Sequence, residues 1–318
     1  MSGPASVVSF KCTACGKCCN SPPLLTAAEL FYHQDWFVGG LAIRRLRRMK
    51  AGEVLSGGGI SRVAGAADAA ESAAYAGEHL FTAGAADFDF ALLTQGLDYE
   101  SLARCPALGD DNRCLLHERR KPVVCSVAPF DAMRPDSFQA LVLLNRNFLE
   151  DCIAAGPRAD YEPVADARGV LDADYAAALR RRRADLALEK HAWGETVYGM
   201  LRQEGFWRSP LVARLALDNG VYCLSIVPVL MALAAASDAC ARRCIDYAER
   251  QIALLEQKID LALQRKQPAD KAMTQLFRTF KQQLGGFALD AGRGNLPRLT
   301  YSAEKAALIE EYLLEVSG

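Results

Sequence analysis

Cys12, Cys15, Cys18 and Cys19 fall within eight residues, in the stretch FKCTACGKCC, at C-x2-C-x2-C-C spacing. Thiolates are soft ligands that suit zinc and iron–sulfur clusters. Two thiolates three positions apart turn inward on one ion when the chain between them makes a tight turn. Gly16, directly after the second cysteine, suits that turn because it takes positive φ without steric cost. Four cysteines in so short a segment are too dense for chance core packing, so the spacing points to a metal site.

A second cysteine-bearing stretch, CPALGDDNRCLLHERRKPVVCSVAPF, carries Cys105, Cys114 and Cys125, and Cys152 follows in LEDCIAAGP. With the first four these make eight cysteines outside the helical half of the chain. Eight thiolates fill two four-coordinate sites, or one site with spare or redox-active thiols. Neighbouring Cys18 and Cys19 point in different directions in most backbones, which favours a second ion or a bridging role for one of them. His117, three residues after Cys114, has a ligand spacing of its own; a surface or outer-shell histidine is an equal reading.

These segments resemble the bacterial CxxCxxCC family of zinc- or iron-chelating cysteine-cluster proteins (YkgJ-like). The resemblance rests on FKCTACGKCC, then CPAL, then CLLHERRKPVVC followed by Pro129-Phe130, and covers roughly residues 10 to 155. Lys121 stands where that pattern has arginine, and Ala128 where it has an aromatic residue. More distantly the order of a cysteine cluster followed by helices is similar to the flagellin lysine-N-methylases. That likeness implies methyl transfer from S-adenosylmethionine to lysine side chains of a protein substrate. The one glycine motif resembling a methyl-donor loop, Asp290-x-Gly292-x-Gly294, follows a predicted helix instead of a strand, where a helix-terminating loop is the simpler expectation. The radical-type C-x3-C-x2-C triad is absent.

The choice of metal stays open at this level. Zinc accepts four cysteines, or three and a histidine, and would hold a small loop-rich domain together. A 4Fe–4S cluster takes three close cysteines and a remote one often followed by proline, as Cys12, Cys15 and Cys18 with Cys105-Pro106 would supply.

The remaining cysteines read as packing. Cys223 sits in an apolar run, and Cys240 and Cys244 share one helix face beside an apolar seam. A net charge of -1 over 318 residues gives no whole-chain attraction to nucleic acid or anionic lipid. No basic segment followed by an apolar one opens the chain, so a cytoplasmic protein without a membrane span is expected, and among reducing thiols eleven cysteines would not pair as disulfides. The apolar run 220–236 contains Pro228 and reads as a buried helix.

The expected fold class is α+β. A cysteine-rich metal-binding domain of loops and short strands spans 1–160, with a Gly/Ala-rich loop insertion at about 51–84 that includes Gly57-Gly58-Gly59. A helical bundle spans 161–318. Thr26-x-x-Glu29 predicts a capped helix, and Arg44 to Lys50 a solvated helix face. Gln95-Gly96 predicts a hairpin turn within 88–102, Gly109 to Asn112 a turn, and Gln139 to Leu144 a strand. Helices are expected over 172–204, with Arg180 to Arg183 on a solvated face, and over 238–267, 269–284 and 302–316. In the second of these Ile245, Ile252 and Ile259 recur every seven residues. The helical half is the natural surface for a protein partner.

Overall fold

A computed structural model of the chain describes residues 7–57, 60–82, 88–146, 151–215 and 220–314. In order, the elements are β1 (Val8–Phe10), α1 (Ala27–Tyr32), β2 (Val38–Arg47), β3 (Val54–Gly57), β4 (Ile60–Val63), α2 (Ala66–His79), β5 (Phe81–Thr82) and β6 (Phe88–Leu97). Then come α3 (Val123–Val127), α4 (Gln139–Leu144), β7 (Ile153–Ala155), β8 (Glu162–Asp166), β9 (Gly169–Val170) and α5 (Ala173–Glu189). The last third holds α6 (Glu195–Gln203), α7 (Pro210–Arg214), β10 (Val221–Ser225), α8 (Val227–Ala234), α9 (Asp238–Arg265), α10 (Asp270–Gly292) and α11 (Ala303–Leu314). The protein is mixed α and β with a helical C-terminal region, as its composition of patterns predicts.

The chain forms two compact units, each assembled from three stretches. The first takes residues up to Asn20, Leu46–Asp89 and Ala107–Ala187; the second takes Ser21–Arg45, Phe90–Pro106 and Leu188–Gly318.

In the first unit a four-stranded sheet runs in the order β7-β1-β8-β9. β1 pairs antiparallel with β7, Phe10 opposite Ile153, and with β8, Phe10 opposite Glu162. This register has a direct consequence for the cysteines. Cys12 follows the end of β1 and Cys152 precedes the start of β7, so antiparallel pairing brings both to one end of the sheet. The Lys11 amide closes that end by donating to the Cys152 carbonyl at 2.9 Å.

The Gly/Ala-rich insertion is ordered where it is described. β3 and β4 pair as a hairpin, and α2 follows. Alanine is the strongest helix former, and the stretch AADAAESA favours a helix on propensity, although so short a segment also needs its cap and its packing. The Asp68 carboxylate starts the helix by accepting from the Gly65 amide at 2.7 Å, Ser137 Oγ at 2.8 Å and Arg62 Nη2 at 2.8 Å. Gly58 and Gly59, the centre of the triple-glycine reading, lie outside the described residues. Gln139 to Leu144 is helix α4 and not a strand. So short an apolar run does not distinguish the two by pattern. Here the Gln139 amide spans the preceding turn, donating to the carbonyls of Asp131 at 2.7 Å and Arg134 at 3.0 Å. The arginine run on α5 is not a solvated face throughout. Arg182 is buried, and Arg183 donates to the carbonyl of Arg134 at 2.7 Å and pairs with Asp136 at 2.8 Å.

In the second unit the Thr26/Glu29 capping box opens α1 as expected. β2 and not a helix occupies Arg44 to Arg47: it pairs antiparallel with β10, Leu41 opposite Leu224 and Arg44 opposite Val221. Residues 38–43 are buried on both faces, as a central strand requires, and the arginines are the polar end of that strand. The hairpin expected around Gln95-Gly96 is one continuous strand, β6, which neighbours β2. Gly96 is there for close approach: a Cβ would meet Phe37 at 3.0 Å, and its amide donates to the Pro23 carbonyl at 3.0 Å.

The apolar run 220–236 divides into β10 and α8, with Pro228 in the first helical turn, where its missing N–H costs nothing. Among the described residues no helix is long and apolar enough to cross a membrane. α9 packs against α8 and α10. Its buried stripe runs Cys244, Ala248, Gln251, Leu255, Ile259, Ala262, whereas Ile245 and Ile252 lie at the margin, half-buried. Gln251 replaces an apolar knob because it serves backbone: it accepts from the Gly39 amide at 2.8 Å and donates to the Gln34 carbonyl at 2.8 Å. Buried Glu189 plays a similar part, accepting from the Ala27 amide at 2.6 Å, Tyr312 Oη at 2.7 Å and Trp193 Nε1 at 3.1 Å. Gly294 (φ 70) ends the turn after α10 as the Asn295 amide returns to the Asp290 carbonyl at 2.8 Å. The glycine motif at 290–294 is thus a helix-terminating loop.

Candidate metal centre

The cysteine segment is a sequence of tight turns. Ala14 (φ 52) and Gly16 (φ 73) both take left-handed backbone, and Lys17–Cys19 forms one 3-10 turn in which the Cys19 amide donates to the Gly16 carbonyl at 2.9 Å. Left-handed Gly16 turns the next peptide back, so the Lys17 amide donates to Cys15 and is the main reason that thiol is held below its ordinary value. Burial opposes this, and hydrogen bonds from Thr13 and Cys152 and the Lys17 charge reinforce it. Gly16 also joins the two cysteine motifs. A Cβ there would meet Asn112 Oδ1 at 3.2 Å and Leu108 Cδ2 at 3.3 Å, and Leu108 forms a β-bridge with Cys114. The turn predicted at Gly109 to Asn112 is present, closed by the Asn112 amide on the Gly109 carbonyl at 3.0 Å.

The thiols come together in pairs. Cys152 Sγ is buried, 3.2 Å from Thr13 Oγ1, and hydrogen-bonds with Cys15. Cys18 and Cys19 place their sulfurs 3.9 Å apart. The Cys18 thiol is lowered to about 6, first by the hydrogen bond with Cys19, against burial, and further by its own amide and the charges of Lys121 and Arg146. Cys12 is exposed, and the charges of Cys12 and Cys18 both reach the phenol of Tyr175. Cys125 sits half-buried on α3 and Cys114 half-buried in its turn; His117 is exposed, its amide on the Cys114 carbonyl at 3.1 Å. Cys105 is buried and belongs to the second unit. Cys240 and Cys244 are buried within α9 and Cys223 is half-buried in β10; burial pushes all three thiols up, which suits neutral packing residues.

Among the described residues no three cysteine, histidine or carboxylate side chains are grouped closely enough to hold an ion between them. In kind, the donors fit a thiophilic metal: several thiols on turns, two of them held below their ordinary values, with Lys121 and Arg146 near the Cys18 sulfur.

Arg146 and Tyr175 escaped the sequence reading, and Lys121 entered it only as a departure from the cysteine-cluster pattern. Lys121 carried a signal, as the residue standing at the arginine position of the cysteine-cluster pattern. Arg146 and Tyr175 carried none, since their proximity comes from the fold alone. No family model matches the chain, and neither a curated protein nor a solved structure is similar to it.

Proposed function

We propose that this is a cytoplasmic metal-binding protein that holds zinc or an iron–sulfur cluster through cysteines of its first unit, drawn from Cys12, Cys15, Cys18, Cys19, Cys114, Cys125 and Cys152. The observation that carries this reading is the Cys18–Cys19 pair, sulfurs 3.9 Å apart, with the Cys18 thiol lowered to about 6. A thiol of that kind is ionised at neutral pH and ready to ligate without first losing a proton. Cys15 and Cys152 form a second such pair with one member lowered. Bound metal supplies electron transfer if it is a cluster, or structural closure if it is zinc. The chain's own residues orient the thiols, through Gly16, Thr13 and the β1–β7 register, and offset their charge through Lys121 and Arg146. Loading the reduced, metal-free chain with zinc, or with ferrous iron and sulfide, tests the reading. Cys15→Ser should lower uptake, and equal uptake by the variant would remove Cys15 from the ligand set.

A further inference from the structure

Side chains on neighbouring residues of a helical turn do not face each other, yet the sulfurs of Cys18 and Cys19 stand 3.9 Å apart. The backbone brings them together. Lys17–Cys19 is a 3-10 turn, entered from left-handed Gly16 (φ 73) and closed by the Cys19 amide on the Gly16 carbonyl at 2.9 Å. Two other segments hold the turn in place. Gly16 lies so close to the second cysteine motif that a Cβ would meet Asn112 Oδ1 at 3.2 Å and Leu108 Cδ2 at 3.3 Å. Lys17 Nζ donates to Asp151 Oδ2 at 2.9 Å. Neither cysteine is in a disulfide; Cys18 is exposed and Cys19 half-buried.

We infer that Cys18 and Cys19 form a redox-active dithiol that reacts with small organic disulfides and closes to a disulfide between the two neighbours. Exposed Cys18 is the point of entry. Its thiolate attacks one sulfur of the small disulfide, whose S–S bond breaks; the other half leaves as a thiolate and takes up the proton that Cys18 gave up. The Cys19 thiol then loses its proton and attacks the Cys18 sulfur, and the second half leaves as a thiol. Two protein thiols are oxidised, and one small disulfide is reduced to two thiols. In the second step the protein sulfurs close from 3.9 Å to about 2.05 Å. The product is strained, because neighbouring Cα atoms are about 3.8 Å apart, below the roughly 4.4–6.8 Å of ordinary disulfides. Strained, exposed disulfides are readily reduced, so excess thiol returns the pair to its dithiol form. The reaction needs no bound metal, and an ion held on either sulfur would block it.

The test uses the full chain, reduced, freed of metal by a chelator and exposed to glutathione disulfide, then alkylated and digested with trypsin. Cleavage after Lys17 and Arg44 releases a peptide whose only cysteines are Cys18 and Cys19. That peptide should lose the mass of two hydrogens, escape alkylation, carry no glutathione and regain both thiols with dithiothreitol. In Cys19→Ser the second step is absent, so Cys18 should retain glutathione. In denaturant the turn no longer holds the sulfurs together. The two-hydrogen loss in the wild type should then fall several-fold, replaced by bonds to Cys12 or Cys15. Glutathione retained on wild-type Cys18, a bond to a third cysteine in the folded chain, or no reaction would overturn the inference. So would an equal two-hydrogen loss with and without denaturant. The metal reading is decided separately, by uptake.

Discussion

Thr13 Oγ1 and Cys152 Sγ stand 3.2 Å apart although 139 positions separate them in the chain. The contact exists because β1 and β7 pair in antiparallel register and deliver their flanking residues to the same end of the sheet. Cys152 is therefore the remote thiol that the first unit brings to the cysteine segment. Replacing it should affect metal and leave the rest of the chain in place. Cys152→Ser is expected to lower metal uptake, measured per chain by mass spectrometry, while Cys223→Ser, a change in the β10 strand, leaves it unchanged. Equal loss in both variants would mean that uptake reports general stability.

The Cys18 thiol gives a pH prediction for the metal-free chain. Its value is lowered from 9.0 to about 6, so the reactive thiolate predominates above about 6 and is protonated below. Alkylation of Cys18, followed by peptide mass spectrometry, should reach half its limiting rate near that pH. Lys121→Gln should move the midpoint upward, because it removes one of the two charges that favour the thiolate. A midpoint close to the ordinary 9.0 in the wild type would contradict the described environment.

In the core of the second unit, Tyr247 is fully buried and its Oη has no hydrogen-bond partner among the described residues. That oxygen lies where a side chain at Gly39 would stand, and the ring stacks on Phe31 at 4.1 Å. Gly39→Ala should therefore cost about 1–3 kcal/mol through overpacking. Tyr247→Phe should be neutral or stabilising, since it removes a buried hydroxyl that makes no bond. The double variant should recover part of the Gly39→Ala loss. Denaturant midpoints decide the matter, and a large destabilisation by Tyr247→Phe would show that the hydroxyl is satisfied.

Asp270, at the start of α10, accepts from the Ser101 hydroxyl and from Arg265 Nη2 at 2.8 Å. Burial by itself would raise this carboxyl, but those donors outweigh it and hold it below the ordinary 3.8. A depressed carboxyl contributes stability that is fully present above the unfolded value and is lost as pH falls through the folded one. Asp270→Asn should cost about 1–3 kcal/mol at neutral pH, and the difference from wild type should shrink as the pH drops below 3.8. A pH-independent difference would assign the loss to packing.

Much of the helical half was legible because its signals are local. Ser237 accepts from the Cys240 amide at 3.3 Å as an N-cap should, and the long apolar period of α9 sets one face inward. What misled were segments whose state depends on distant partners. Arg44 and Arg45 look like a helix face, but β10 takes them into a sheet from nearly 180 residues away, Arg44 paired with Val221. Gly96 looks like a turn until Phe37 lies against it. For the site, residue type and spacing identified the thiols, but not their pairing. Nothing near Tyr175 in sequence connects it to the segments that carry the cysteines; the fold brings Phe10 and Phe130 edge-on to its ring.

The central claim is that the clustered thiols hold metal. The most direct measurement is metal content by mass spectrometry, with an absorption spectrum, on the full chain purified without oxygen. The account predicts either one or two zincs per chain in a colourless solution, or about four irons with sulfide and a broad visible band. A chain that carries neither, takes up neither on loading, and titrates all its cysteines as free thiols would contradict it.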